Sequence, residues 1–110
     1  MSRVESLEAL LVRGPDGALL RYSLGLEHHK LGHVAEARAH LEHAVALDPG
    51  YSAAWKMLGK VCAEAGDADA AMDAYRTGIG AAERKGDVQA AKEMRVFLAR
   101  LERARPGPAS

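Results

Sequence analysis

Thirty-four residues separate Gly25 from Gly59, and the same step carries Leu24 to Leu58, Gly32 to Gly66, Ala37 to Ala71 and Leu41 to Tyr75. A fixed interval of that size belongs to stacked helical hairpins, because one hairpin cannot bury its apolar face alone and does so against its neighbours. The expected fold class is therefore all-α. A chain of 110 residues is expected to form one such domain. Hydrophobic residues make up 48% of it but aromatics only 5%, and alanine supplies much of the difference, so the helices must approach closely.

The interval locates the elements. A helix is expected over 16–30, with Asp16 as N-cap, Gly32 as the stop and Leu20, Leu24, Gly25 and Leu31 as its buried stripe. A second, over 34–47, carries Val34, Ala37, Leu41, Ala44, Val45 and Leu47 inward and ends before Asp48-Pro49-Gly50, since proline cannot continue it. Ser52 then caps a helix over 53–65 with Trp55, Leu58, Gly59 and Cys62 inside. Gly66 ends that helix, and Asp67 caps the next, 68–84, which presents Ala71, Met72, Tyr75 and Ile79. Gly86-Asp87 repeats the stop and cap, opening a last helix to 103 with Ala90, Met94, Phe97, Leu98 and Leu101 along one side.

Run backward, the interval pairs Leu41 with Leu7, Ala44 with Leu10 and Pro49 with Pro15, so 3–13 reads as a half repeat. Run forward, it fails, because Leu58 falls on Lys92 and Gly59 on Glu93; the last helix reads as a terminal cap. The expected organisation is a single domain, 1–104. It comprises a half-repeat helix 3–13, repeats 18–51 and 52–85, a capping helix 87–104 and a disordered tail 105–110.

These two units resemble the tetratricopeptide repeat, which prefers Trp, Leu, Gly and Tyr on its first helix and Ala, an aromatic, Ala and Pro on its second. Residues 52–85 match through Trp55, Leu58, Gly59, Ala71 and Tyr75, and residues 18–51 through Leu24, Gly25, Ala37, Ala44 and Pro49. Arg21 departs from the tryptophan, His28 and Cys62 from the tyrosine, Leu41 from the aromatic, Gly78 from the second alanine and Glu83 from the proline. Glu83 implies a helix that continues to Gly86. Gly25 and Gly59 are expected at helix crossings, and Trp55 in the gap between hairpins.

The resemblance implies a right-handed α-α superhelix whose first helices line a concave groove for a peptide or helix of a partner protein. Family groove positions fall on Leu19, Tyr22, Leu26, His29 and Lys30, then on Ala53, Lys56, Lys60, Ala63 and Glu64. That gives an apolar half around Tyr22 and Leu26 and a basic half at Lys56 and Lys60. A ligand with an apolar anchor followed by acidic groups or a carboxyl end would suit it. The plainer alternative is that Leu26 packs under the terminal helix and the lysines are merely solvated. The family's clamp for chaperone C-terminal carboxylates is not expected: Tyr22, Leu26 and Met57 stand where it needs lysine and asparagine, and the chain has no asparagine.

Charge and motifs limit the other classes. Fifteen basic and fifteen acidic residues are interspersed, which is not the electrostatic footprint of a nucleic-acid binder. Met1 to Arg13 alternates charge with leucine rather than forming a signal-peptide core, and no stretch approaches the roughly 18 apolar residues of a membrane span. A cytoplasmic protein is expected. Cys62 has no cysteine partner and no general base, and reads as a structural thiol. His29 and His33, and His40 and His43, have the spacing of metal ligands, but His33 falls in a turn and no carboxylate or cysteine set completes them; no metal or cofactor is expected. Gly78-Ile79-Gly80 lies inside a helix and lacks the strand of a dinucleotide site. The expected function is non-catalytic protein binding, as a small adaptor or assembly factor and a monomer. The alternative is a self-associating subunit that pairs through the stripe of Met94, Phe97 and Leu98.

Overall fold

In the computed structural model, which describes residues 2–105, the chain forms six helices: α1 (Arg3–Arg13), α2 (Ala18–Lys30), α3 (Val34–Leu47), α4 (Ser52–Glu64), α5 (Ala68–Lys85) and α6 (Val88–Ala104). The tail expected to be disordered lies outside the described residues apart from Arg105. The helices stack into an elongated body of 54 × 30 × 19 Å.

Local chemistry sets most of the boundaries. Gly32, Gly66 and Gly86 adopt φ of 77°, 82° and 74°, the left-handed conformation that stops a helix at small cost only in glycine. The residue after each glycine donates its N–H to the carbonyl five positions back: His33 to His28, Asp67 to Cys62 and Asp87 to Ala82. Asp67 and Asp87 then cap α5 and α6 as expected, accepting from the N–H of Ala70 at 3.1 Å and of Ala90 at 3.2 Å.

Two expected caps are corrected. Asp16 does not cap α2, whose N-cap is Gly17 without a side-chain bond; its carboxylate instead takes both prongs of the Arg21 guanidinium at 2.8 Å each. Arg21 stands where the repeat prefers tryptophan, and it uses its fork to tie the entry of α2. Nor does Ser52 cap α4. It is the first residue inside the helix, buried, and its hydroxyl donates to Asp87 Oδ2 at 3.2 Å, linking the starts of α4 and α6.

The core follows the 34-residue pattern where the side chains interlock. A Cβ on Gly25 would lie 2.6 Å from Leu41 Cγ, and one on Gly59 would lie 2.5 Å from Tyr75 Cε1. The glycines therefore admit the partner helix's Leu41 and Tyr75, one turn beyond the small Ala37 and Ala71. One cluster of buried residues runs through α3, α4 and α5, including Leu41, Leu58, Val61 and Cys62; a second joins Tyr75 and Ala82 to Ala90, Ala91 and Met94. Trp55 and Leu101 pack against both, so Trp55 does bridge the packing units, although it is only half-buried.

The exceptions to the expected stripes sit at helix ends. Leu31, just past α2, is 58% exposed, and Leu47, the last residue of α3, is 50% exposed. No residue of α1 is buried, and Leu10, the periodic equivalent of buried Ala44, is 54% exposed.

The failure of the interval beyond α5 has a structural cause. As Glu83 implied, α5 continues to Lys85, giving 18 residues against 14 for α3. The N-caps of α2, α4 and α6 are Gly17, Tyr51 and Asp87, so the second step is two residues longer than the first. The longer step carries Ala54 onto Ala90 and Leu58 onto Met94, and all four are buried. Met94, wholly buried, rests against Gly78, where a Cβ would lie 2.6 Å from its Sδ and equally close to Trp55 Cβ.

Candidate functional site

The first helices of the hairpins, α2 and α4, line one face of the stack, and α6 joins them there. Between the three lies a cavity of about 250 Å³, with Tyr22 from α2, Ala53, Lys56, Met57 and Lys60 from α4, and Glu93 and Phe97 from α6. The Tyr22 ring packs against that of Tyr51, 5.0 Å away between centroids and tilted by 42°.

Electrostatics differ from expectation. Lys56 Nζ donates to Glu93 Oε2 at 2.8 Å, and Gln89 Nε2 donates to Glu93 Oε1 at 3.1 Å. These bonds, that of Lys56 first, hold the Glu93 carboxyl below its ordinary pKa. The basic half expected at Lys56 and Lys60 is thus corrected: α6 brings a carboxylate to neutralise Lys56, and Lys60 is left exposed, with no ion partner among the described residues.

The other expected groove residues are dispersed. His29 Nε2 lies 2.7 Å from Glu64 Oε2, an ion-pair geometry that joins α2 to α4 outside the cavity. Lys30 pairs with Glu27 at 3.3 Å, and Glu27 also accepts from Arg3 of α1 at 2.9 Å. Leu19 is 69% exposed, while Leu26 is half-buried on α2 and Ala63 half-buried on α4. Ala63 lines a second, smaller cavity of about 160 Å³ with Tyr75, Phe97, Arg100 and Leu101. Phe97 is the wall between the two cavities, its ring 5.7 Å from that of Tyr75. Burial of Tyr75 pushes its hydroxyl up to about 12, so that group stays neutral.

Glu93 and Phe97 are site residues that sequence reading missed. Their signal was present as an i,i+4 pair on one helical face, but the 34-residue register fails at this helix and the family groove positions were carried only onto α2 and α4. Cys62 matches its expected structural role: it is buried, and burial pushes its thiol up, away from the reactive thiolate. The histidines pair differently from their helical spacing. His29 turns to Glu64, whereas His28 meets His33, with Nδ1 atoms 3.1 Å apart.

The stripe offered for self-association is largely occupied within the chain. Met94 lies under Gly78, and Phe97 and Leu98 pack partly buried against the α5–α6 core. No described helix is long and apolar enough to cross a membrane.

Comparison with known proteins agrees with this architecture. The profile of the tetratricopeptide repeat matches residues 28–94. The TPR repeat-containing protein PA0015 of Pseudomonas aeruginosa is 47% identical over 102 residues, which cover 93% of this chain and 97% of that protein. The solution structure of protein BPP2914 from Bordetella parapertussis superposes with a TM-score of 0.80 at 42% identity, covering 94% of this chain and 90% of that one. A tetratricopeptide repeat domain protein from Salinibacter ruber gives a TM-score of 0.79 at 28% identity, over 87% and 97% of the two chains. With its repeat profile, its near full-length relative and its all-α superhelix in agreement, the chain belongs to the tetratricopeptide-repeat family.

Proposed function

We propose that this chain is a non-catalytic adaptor or assembly factor of the cytoplasm that holds a peptide or helix of a partner protein in the groove between α2, α4 and α6. Tetratricopeptide-repeat proteins generally bind other proteins, and the fold is that of an interaction module. In this reading 18–51 and 52–85 are the two repeats, α1 is a half repeat, and α6 is a cap that also furnishes a groove wall.

The observation that carries the reading is the cavity itself. At about 250 Å³ it falls below the roughly 300–1,000 Å³ of small-molecule pockets, and it suits an anchoring side chain of a larger ligand. Tyr22, Met57 and Phe97 offer apolar surface to that anchor. Lys60, exposed on the rim, is the group available to a carboxylate beside it, since Lys56 is engaged by Glu93. The ligand is thus an apolar anchor followed by one acidic group, a narrower requirement than two free lysines would set.

Selection from a displayed random-peptide library, followed by amide shift mapping on the labelled protein, tests this. Selected peptides should carry an apolar residue followed by an acidic one or a free C-terminus and should shift Tyr22, Met57, Lys60 and Phe97. Tyr22→Ala and Lys60→Glu should each weaken binding about tenfold, a loss of about 1.4 kcal/mol. A footprint on α1, α3 or α5, or affinity indifferent to both substitutions in folded protein, would overturn the assignment.

A further inference from the structure

The turn between α2 and α3 carries a second constellation, built from residues the groove does not use. All three glycine stops close alike: the residue after the glycine donates its N–H to the carbonyl five back, at 2.9 Å for His33 to His28, 3.0 Å for Asp67 to Cys62 and 2.8 Å for Asp87 to Ala82. That closure brings the two joined side chains together. In the later turns the post-glycine residue is an aspartate that caps the next helix. Here it is His33, which makes no side-chain cap to α3. Its ring turns to His28 instead, with the two Nδ1 atoms 3.1 Å apart.

A carboxylate completes the group. Glu36 lies in the first turn of α3, and one ligand atom from each of His28, His33 and Glu36 lies within 4.8 Å of the others. His28 is itself oriented from two sides. Glu8 Oε1 of α1 lies 3.5 Å from its Nε2, and the His40 ring stacks on it at 5.3 Å and 16°. A carboxylate on the far ring nitrogen is the arrangement that fixes the tautomer of a metal-bound imidazole. With the proton on Nε2 facing Glu8, His28 directs the Nδ1 lone pair at His33. His40 stays outside the donor set because its own Nδ1 accepts from Arg21 Nη1 at 3.1 Å.

We infer that His28 Nδ1, His33 Nδ1 and a Glu36 carboxylate oxygen form a binding site for a divalent cation of the zinc type, with water completing the coordination. Two imidazoles at zinc–nitrogen distances of about 2.0–2.1 Å in a tetrahedron hold their nitrogens about 3.4 Å apart, close to the separation seen here. Glu36 is exposed, and its carboxylate has no side-chain hydrogen bond or ion pair among the described residues. With His28 in that tautomer, His33 donates its Nδ1 proton to His28 when no metal is bound, and with metal the exposed His33 ring would carry that proton on Nε2. Binding therefore requires a tautomer exchange through solvent and no net proton loss. The cation would clamp the end of α2 to the start of α3 and, through Glu8, fix α1 against them. Helical spacing rules did not find this site because its two histidines are five apart across a turn.

Titration of the metal-free full chain with Zn²⁺ by calorimetry, and with Co²⁺ by visible absorption, tests the site. One ion should bind per chain and raise the melting temperature. Since even outer-sphere changes cost metal sites about 10–100-fold, His33→Gln should weaken binding by at least tenfold and Glu36→Gln should weaken it measurably. His43→Gln, which removes an exposed histidine outside the set, should leave it unchanged. Absence of saturable binding up to on the order of 100 µM Zn²⁺ would overturn the inference, as would wild-type affinity in His33→Gln. Both polar variants change exposed residues, so either one that folds decides the matter.

Discussion

Replacing Gly78 by alanine sets two effects of opposite sign against each other in one helix. Alanine is the better helix former by about 1 kcal/mol in a helix interior, so an open site would gain stability. Gly78 is not open: the new Cβ would lie 2.6 Å from Met94 Sδ, 2.6 Å from Trp55 Cβ and 3.3 Å from Met94 Cε. Met94 is wholly buried and has no solvent side to retreat to, and Trp55 Cβ is fixed to the α4 backbone. Relief requires α5 to move away from α4 and α6, and overpacking of this kind costs about 1–3 kcal/mol. Set against the propensity gain of about 1 kcal/mol, that leaves a net loss of up to about 2 kcal/mol, with the melting temperature lowered by about 4 °C per kcal/mol. Gly80 is the internal control, because a Cβ there meets only the flexible end of exposed Arg84, at 3.3 Å. Gly80→Ala should stabilise by about 0.5–1 kcal/mol. Paired thermal and urea unfolding followed by circular dichroism measures both. A Gly78→Ala protein stabilised as much as Gly80→Ala would refute the close-packing account of this departure from the repeat pattern.

Two further outcomes follow from the packing and the caps. Trp55→Ala removes a ring that touches both core clusters and an indole N–H that donates to the Pro49 carbonyl at 2.8 Å; because the ring is half-exposed, a loss of about 2–4 kcal/mol is expected, and an unchanged melting curve would contradict its bridging role. Asp67 has its pKa lowered by the Ala70 N–H first and by Arg38 next. Its stabilising contribution is therefore full above the ordinary value of 3.8 and is lost as pH falls through the lower folded value. Asp67→Asn keeps an oxygen for the cap but does not titrate. Wild type should lose stability relative to this variant as pH falls through the acid range, and parallel pH profiles would count against the carboxylate's role.

The groove shows where local pattern stopped being sufficient. Tyr22, Lys56 and Lys60, groove positions that the family resemblance implied, do line the cavity. Leu19, Leu26, His29, Lys30 and Glu64 were implied in the same way yet lie outside it: Glu64 of α4 takes His29, and Glu27, on the same helix α2, takes Lys30. Asp16 and Ser52 had the right chemistry for caps, but each found a stronger partner, Arg21 in one case and Asp87 in the other.

What the sequence alone determined is what depends on a few adjacent residues. The left-handed glycines, the capping aspartates and the proline-containing turn set where helices stop and start, and the 34-residue recurrence follows from them. Tertiary structure alone decided what α6 contributes. Two additional residues in the second step turn the helical register by about 200°, since each residue advances the helix by about 100°. That rotation buries Met94 rather than Lys92 and places Glu93 against Lys56, 37 positions away in the chain. The groove's charge was thus set by the packing of α6 on α5, a contact that no local spacing rule contains.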